Sequence, residues 1–193
     1  MAAVGLKGPE LLDEVVKLQD GAKRCLVSFS RGKDAIATTI HLQEAGWEVV
    51  PFYCQRVPGI SFIEESLDYY DRTLFKDGHK IIRVMHPWFA HAMQTGAWQP
   101  PTHTRYILGT DWITFDFPDI QAVLAEELGL PENTYTATGL RAADSAQRRT
   151  NFEKHGPVNV TKKTFAPIWD HTRDEVYAAI RRRGVSLPAD YLI

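Results

Sequence analysis

The sequence is poor in cysteine, and its two cysteines are not spaced like a disulfide framework or a metal site. Cys25 and Cys54 lie in or beside apolar segments, and no C-x-x-C pair occurs in the 193 residues. Disulfides and iron–sulfur clusters are therefore not expected. The N-terminus lacks the basic segment and following apolar segment of a secretory signal peptide, so we expect the reducing cytoplasm as the compartment.

Long apolar segments and a strong net charge are also missing. No apolar segment approaches the roughly 18 residues that cross a bilayer, so no membrane partner is expected. The formal net charge of −2 argues against a general nucleic-acid coat or a polybasic membrane binder. However, residues 141–183 contain ten Lys or Arg against five Asp or Glu. That local excess suits a polyanionic ligand, and a solvated basic face is the alternative.

The histidines do not form a zinc pattern. His86 and His91 are followed by His103 further along the chain, and no cysteine or acidic residue completes a ligand set. We therefore expect no zinc ion, and we interpret these histidines as hydrogen-bonded or solvated side chains.

Apolar strands alternate with amphipathic helices along the chain. We predict strands at 25–29, 47–54, 80–85, 134–138 and 161–167, and helices at 8–22, 35–45, 61–75, 119–128, 142–155 and 173–183. This order predicts βαβ units and a single α/β domain over 1–193, a Rossmann-like three-layer sandwich with a mainly parallel five-stranded sheet. An irregular insertion at about 87–118 interrupts the pattern. Ser61 and Glu64 have capping-box spacing at the start of the third helix.

The segment Val27-Ser-Phe-Ser-Arg-Gly-Lys-Asp-Ala35 joins a predicted strand directly to a predicted helix. The first turn of a helix offers unpaired amide N–H groups and a positive dipole end, and a glycine lets an anion approach the backbone closely. The segment is not a Walker A loop, because Val27 replaces the early glycine and Asp34 replaces the closing Ser or Thr. We predict a phosphate site here, with a ligand-free βα turn as the alternative.

Within this segment, Ser30-Arg-Gly-Lys-Asp-Ala35 resembles the S-x-G-K-D-S form of the PP-loop. That motif belongs to the adenine nucleotide alpha-hydrolase-like superfamily, which includes ATP pyrophosphatases and phosphoadenosine-phosphosulfate reductases. The resemblance implies that ATP or a related adenine nucleotide is bound by a set of loop residues: Ser28, Ser30, Arg31, Gly32, Lys33 and Asp34. It also implies that Asp34 lies near Mg²⁺ or phosphate. Ala35 departs from the motif, which removes one hydroxyl donor.

A second polar segment, Gly139-Leu-Arg-Ala-Ala-Asp-Ser-Ala-Gln-Arg148, follows the fourth predicted strand. It resembles the G-x-R-x-x-x-S-x-x-R signature of the phosphosulfate reductase group, with Gly139, Arg141, Ser145 and Arg148 at the matching places. Gly139 permits the turn, and the planar guanidinium of Arg141 suits a phosphate or sulfate. Ser145 and Arg148 are expected to share a helix face. An arginine-rich loop on a basic surface is the alternative.

A third segment, Pro167-Ile-Trp-Asp170, resembles the family segment that precedes the last helix, with Asp170 a candidate N-cap. The reductases carry a catalytic cysteine in a C-terminal tail, and this sequence ends at Ile193 without one. The ending is also consistent with a fragment of a longer protein. Cys54 is the remaining conceivable thiol nucleophile.

We therefore predict an enzyme that cleaves ATP between the α- and β-phosphates, acting on an unidentified small acceptor. Its predicted catalytic residues are Lys33, Arg141 and Arg148. Catalysis would depend on positioning and electrostatics, with little covalent work by protein groups.

Two alternatives remain open. One is a phosphosulfate reductase-like protein whose cysteine tail is missing or supplied by a partner. The other is a catalytically weak nucleotide-binding module of a larger assembly. In that case the aromatic residues of the insertion are a candidate contact surface for a protein partner or a second copy of the chain, and packing or a cover over the ligand are equally consistent with them. These residues are Trp88, Trp98, Tyr106 and Trp112.

Overall fold

The computed structural model describes residues 4–94 and 115–191. Within these ranges the α-helices are α1 (Gly8–Leu18), α2 (Lys33–Glu44), α3 (Ser61–Thr73), α4 (Pro87–Gln94), α5 (Phe117–Glu127), α6 (Ala146–His155) and α7 (Arg173–Arg183). The strands are β1 (Arg24–Ser28), β2 (Glu48–Gln55), β3 (Ile82–Met85), β4 (Thr136–Ala137), β5 (Val158–Asn159) and β6 (Thr164–Phe165). Short 3₁₀ turns lie at Ala142–Asp144 and Ala189–Tyr191. None of the described helices is long and apolar enough to cross a membrane.

The strands form one mixed sheet in the order β3-β2-β1-β4-β6-β5. All neighbouring pairs are parallel except β5 and β6, which are antiparallel. The predicted α/β class and mainly parallel sheet are confirmed. The described sheet has six strands rather than five, because the chain folds back at 158–165 into a pair of two-residue strands. Thr164–Phe165 lies within the strand predicted at 161–167, whereas Val158–Asn159 was not predicted, because two residues are too few to show a period-2 alternation.

Helices cover both faces of the sheet. Consecutive β1 residues point to opposite faces, as strand geometry requires. Cys25 and Val27 belong to the larger apolar core, which includes residues of α1, α2, α3 and α7, whereas Leu26 packs in a second core with Ile120 and Leu124 of α5. Because β1 is buried on both faces, it is apolar throughout its centre, as expected for a central parallel strand.

Two predicted helix starts are wrong. The N-cap of α3 is Ile60, without a side-chain cap, and the Glu64 carboxylate instead accepts hydrogen bonds from Gln55 and Arg83 of the neighbouring strands. Tertiary partners thus replace the predicted capping box. The last helix, α7, is capped by Thr172 rather than Asp170, and Thr172 and Glu175 form a reciprocal capping box.

The segment 142–155 also differs from its prediction as one helix. It divides at Ser145 into a 3₁₀ turn and α6, because the extended backbone of Ser145 places it as an N-cap. Of the predicted insertion, Pro87–Gln94 forms α4. Trp98, Tyr106 and Trp112 lie outside the described residues.

Candidate functional site

The order of the strands creates a crevice beside the ends of β1 and β4. From β1 the chain proceeds outward to β2 and β3, and it then returns to add β4 on the other side of β1. In open parallel sheets, ligands bind at the carboxyl ends of the strands where the order reverses in this way. Here the crevice has a volume of about 480 Å³ and is lined by residues from both polar loops. Of the predicted site residues, the lining includes Ser28, Ser30, Gly32, Asp34, Gly139 and Arg148.

The helix α2 begins at this crevice without a side-chain cap. Its N-cap is Gly32, which has no side chain to accept from the amides of the first turn. The N–H of Lys33 donates instead to the hydroxyl oxygen of Tyr191 at 3.2 Å. A Cβ on Gly32 would lie 3.2 Å from that hydroxyl and 3.3 Å from Ser30 Oγ. An oxygen atom therefore already contacts a first-turn amide of the loop, at the place where an anion would bind.

Arg31 is placed differently from the other loop residues. Its backbone has a φ of 63°, the left-handed region that non-glycine residues rarely adopt. Its guanidinium is buried, pairs with Asp190 at 3.4 Å and lies over the ring of Tyr53. Arg31 thus fastens the 3₁₀ turn Ala189–Tyr191 to the loop, and it is not among the described residues that line the crevice.

Gly139 allows the second loop to lie directly against the first. A Cβ added to Gly139 would stand 2.9 Å from the Ala35 nitrogen and 2.9 Å from the Asp34 carbonyl carbon. Such distances to backbone atoms are too short for any side chain. The close contact between the two loops therefore requires glycine at this position, which gives a physical reason for the residue predicted there.

Five charged residues connect the two loops in an alternating chain of ion pairs. Lys33 Nζ lies 2.6 Å from Asp34 Oδ2, and Arg141 Nε lies 2.7 Å from Asp34 Oδ1. Arg141 Nη2 then lies 2.7 Å from Asp144 Oδ1, and Arg148 Nη1 lies 2.7 Å from Asp144 Oδ2. Each carboxylate oxygen contacts a different cationic nitrogen. With three cations and two anions, the chain keeps one net positive charge beside the crevice.

Arg141 occupies the buried centre of this chain. Its side chain is 4% exposed, and Nη1 donates to the backbone oxygen of His171 at 3.2 Å. The Nε contact with Asp34 is an ion pair rather than an aligned hydrogen bond, because neither atom has a partner in hydrogen-bond geometry among the described residues. The guanidinium holds two carboxylates and a carbonyl together, and it does not line the crevice.

Ser145 and Arg148 have separate positions. Ser145 Oγ accepts from the backbone N–H of Arg148 at 3.1 Å and caps α6, so Ser145 stands at the start of the helix rather than on a shared helical face. Its side chain is outside the crevice lining, as is that of Lys33. Arg148, 46% exposed, is the arginine of the second loop that lines the crevice.

The third predicted segment supports the second loop from behind. The backbone oxygen of Trp169 accepts from the Ala142 N–H at 2.7 Å, and Trp169 Nε1 donates to the Leu6 oxygen at 2.9 Å. The Trp169 ring also packs against Phe152 of α6. The segment therefore positions the Gly139–Arg148 loop.

The carboxylates of Asp34 and Asp144 are not arranged to coordinate a divalent metal ion. All four oxygens of Asp34 and Asp144 contact cationic nitrogens, whereas Mg²⁺ requires carboxylate or phosphate oxygens free to coordinate it. No group of three His, Cys, Asp or Glu residues suited to a metal occurs among the described residues. The Mg²⁺ ion at Asp34 stays a prediction, and no step below is routed through it.

The two thiols are poor nucleophiles. Burial raises the pKa of Cys54 to about 11 and raises that of the fully buried Cys25 still further. Both are therefore protonated near neutral pH, and the thiolate is the reactive form. Neither lines the crevice.

Sequence reasoning missed Asp144 and Tyr191, which both line the crevice. Asp144 could have been found, since it is three residues from Arg141 and four from Arg148, the spacings at which ion pairs form locally. Tyr191 carries no such local signal, because its partner Lys33 is 158 residues away in sequence. Phe117 and Gln121 of α5 also line the crevice and were not predicted.

A scan against protein-family models and a search of the curated proteins gave no match for this chain. A proposal of function therefore depends on the geometry and charge of the crevice.

Proposed function

We propose that this chain binds an adenine nucleotide in the crevice between β1 and β4, and that it cleaves ATP between the α- and β-phosphates. The observation that carries this proposal is the meeting of two loops, distant in sequence, around a volume of about 480 Å³ at the point where the strand order reverses. That volume is within the range of small-molecule sites. One wall is an uncapped helix start, and the other contains Arg148.

The terminal phosphates are assigned to the loop that begins α2. The amides of the first helical turn and the hydroxyl of Ser30 are donors of the kind that bind phosphate oxygens. A phosphate oxygen would replace the Tyr191 hydroxyl as the acceptor for the Lys33 N–H. The Lys33 ammonium group pairs with Asp34 outside the crevice lining, and in this proposal it turns toward the phosphates and adds positive charge there.

The two arginines of the second loop have different roles in this proposal. Arg148 lines the crevice and contacts the ligand, where its guanidinium stabilises charge that develops around the α-phosphate. Arg141 is a positioning residue, because it acts by holding Asp34 and Asp144. This assignment differs from the expectation that Arg141 itself grips a phosphate.

The reaction is a substitution at the α-phosphorus. A nucleophilic atom of the acceptor forms a bond to that phosphorus, the bond from phosphorus to the α,β-bridging oxygen breaks, and pyrophosphate leaves with the electron pair. The acceptor becomes adenylated, and any proton on its nucleophile passes to solvent. The loop residues contribute orientation and charge stabilisation.

Pyrophosphate release from ATP tests the proposal. It would be measured with water and with a panel of small organic acids as acceptors, for the wild type, Lys33→Ala and Lys154→Ala. Lys154 is exposed on α6 outside the crevice lining and serves as the matched control. We expect Lys33→Ala to lower the rate by about a hundredfold, the effect of losing one electrostatic donor, and Lys154→Ala to match the wild type. Equal rates for all three proteins, or no release under any condition, would contradict the proposal.

A further inference from the structure

A second cavity adjoins the crevice and is not accounted for by nucleotide binding. It lies between α6 and the β5–β6 strand pair and has a volume of about 590 Å³. We call it the α6 groove. Four residues line both the α6 groove and the crevice, namely Thr138, Leu140, Arg148 and Thr164. A molecule in the α6 groove would therefore lie next to a nucleotide in the crevice.

The charged side chains described in the lining of the α6 groove are of one sign. Its lining includes the basic side chains Arg148, His155 and Lys162, and none of the described residues that line it is acidic. Asn151 and Asn159 add amide groups that can donate hydrogen bonds. The lining of the crevice also contains Asp34 and Asp144, whereas the charged side chains described in the lining of the α6 groove are all basic, which favours an anionic group.

The floor of the α6 groove is apolar. Phe152, Val158 and Phe165 are buried residues of the main core that also line this cavity. Leu140 and Val160 are exposed at 42% and 57% and stand among the lining residues. An apolar surface with a few convergent polar groups is typical of a site for a small organic molecule.

We infer that the α6 groove binds the acceptor of the reaction, and that this acceptor is a small organic anion with an apolar body. The acceptor role rests on the proposed function, whereas the binding of an organic anion does not depend on it. Arg148 lies at the junction of the two cavities, with Nη1 held by Asp144. Because a guanidinium has five N–H donors, Arg148 retains others for groups on either side.

Binding of simple probes tests the anion site directly. Benzoate, phenyl phosphate and the neutral benzamide would be titrated into the ¹⁵N-labelled protein without nucleotide. We expect benzoate or phenyl phosphate to shift the amide signals of Asn151, Val160 and Lys162, and benzamide to leave them unchanged. The two anions distinguish a carboxylate from a phosphate as the recognised group. Equal shifts with benzamide, or none with either anion, would overturn the inference.

Charge reversal at Lys162 locates the site. Lys162→Glu is expected to weaken binding of the preferred anion by at least about tenfold, as for the loss of a charged hydrogen bond. Lys154→Glu is the matched control on the outer surface of α6 and is expected to bind like the wild type. If the two variants bind equally, the inference is wrong.

The acceptor role is tested by adding a non-hydrolysable ATP analogue. Simultaneous binding of analogue and anion supports the role, and competition between them overturns it. The experiments distinguish failure of the two proposals. If no anion binds, the proposed anion site in the α6 groove is wrong. If the anion binds but ATP does not, the proposed nucleotide site in the crevice is wrong.

Discussion

Arg141 Nε lies 2.7 Å from Asp34 Oδ1, so an arginine of the loop after β4 contacts a carboxylate in the first turn of the helix after β1. The same guanidinium contacts Asp144. This buried cation therefore determines how the two walls of the crevice stand relative to each other.

Replacing Arg141 is expected to destabilise the fold much more than replacing Arg148. Arg141→Ala removes the buried cation shared by Asp34 and Asp144, each of which keeps one other cationic partner, and is expected to cost about 3 kcal/mol. Arg148→Ala removes a half-exposed partner of Asp144 and is expected to cost less than about 1 kcal/mol. Urea unfolding of the two variants and the wild type measures the difference. Equal free energies of unfolding for both variants would show that the ion-pair chain is not organised around Arg141.

Gly139→Ala is expected to force the two loops apart. Its Cβ would meet backbone atoms of Asp34 and Ala35 at 2.9 Å, and overpacking of this kind costs about 1 to 3 kcal/mol. Because the loops form the crevice, ATP affinity should fall as well. Gly78→Ala is the control, since a Cβ there has no neighbouring atom within 4 Å and the backbone is not in the left-handed region. Wild-type stability and ATP affinity in Gly139→Ala would contradict the close contact described here.

Protonation of His41 is expected to lower the free energy of unfolding as the pH falls. Burial lowers the pKa of His41, the nearby His171 lowers it further, and Glu44 and Asp170 partly oppose this. Because the pKa in the folded state lies below the ordinary value of about 6.5, the unfolded chain binds the proton more readily. The stabilising contribution is therefore present above about pH 6.5 and is lost as the pH falls through the window below it.

Free energies of unfolding measured between about pH 7 and about pH 5.5 check this expectation. His41→Gln should show a weaker pH dependence than the wild type. The explanation fails if the free energy of unfolding of His41→Gln changes with pH as steeply as that of the wild type.

The cysteines are expected to be dispensable for the reaction. Since burial raises the pKa of Cys54 to about 11, its thiol should react slowly with Ellman's reagent at about pH 8, where an ordinary cysteine is partly ionised. Cys54→Ser should release pyrophosphate at the wild-type rate. The reductase alternative would be favoured if the wild type released sulfite from phosphoadenosine phosphosulfate and Cys54→Ser lost that activity.

The alternation of strands and helices could be predicted from sequence, because each long element carries its own apolar period. The loop Ser30–Asp34 could be placed for the same reason, since a buried strand, a glycine and a helix follow each other directly. In contrast, the two-residue strands are defined by pairing: Val158–Asn159 pairs with Thr164–Phe165, which also pairs with β4. A segment this short has no local pattern that sets its exact limits.

Within the candidate site, the structure brings the two predicted loops together around one crevice, whereas the contacts between the loops were not predicted. Arg141 was expected to face a ligand, and tertiary packing instead places it between Asp34 and Asp144. The hydrogen bond from the Lys33 N–H to the Tyr191 hydroxyl joins residues that are 158 positions apart in sequence. Such pairings depend on how elements pack, and composition or spacing along the chain does not encode them locally.

The most direct test of the central claim is an ATP titration of the ¹⁵N-labelled protein, followed at the backbone amides. The predicted result is saturable shifts that are largest at the amides of Lys33, Asp34 and Ala35, with further shifts at Gly139, and a much weaker affinity in Lys33→Ala. Saturable shifts confined to other parts of the chain, or the same affinity in Lys33→Ala, would contradict a phosphate site at the start of α2.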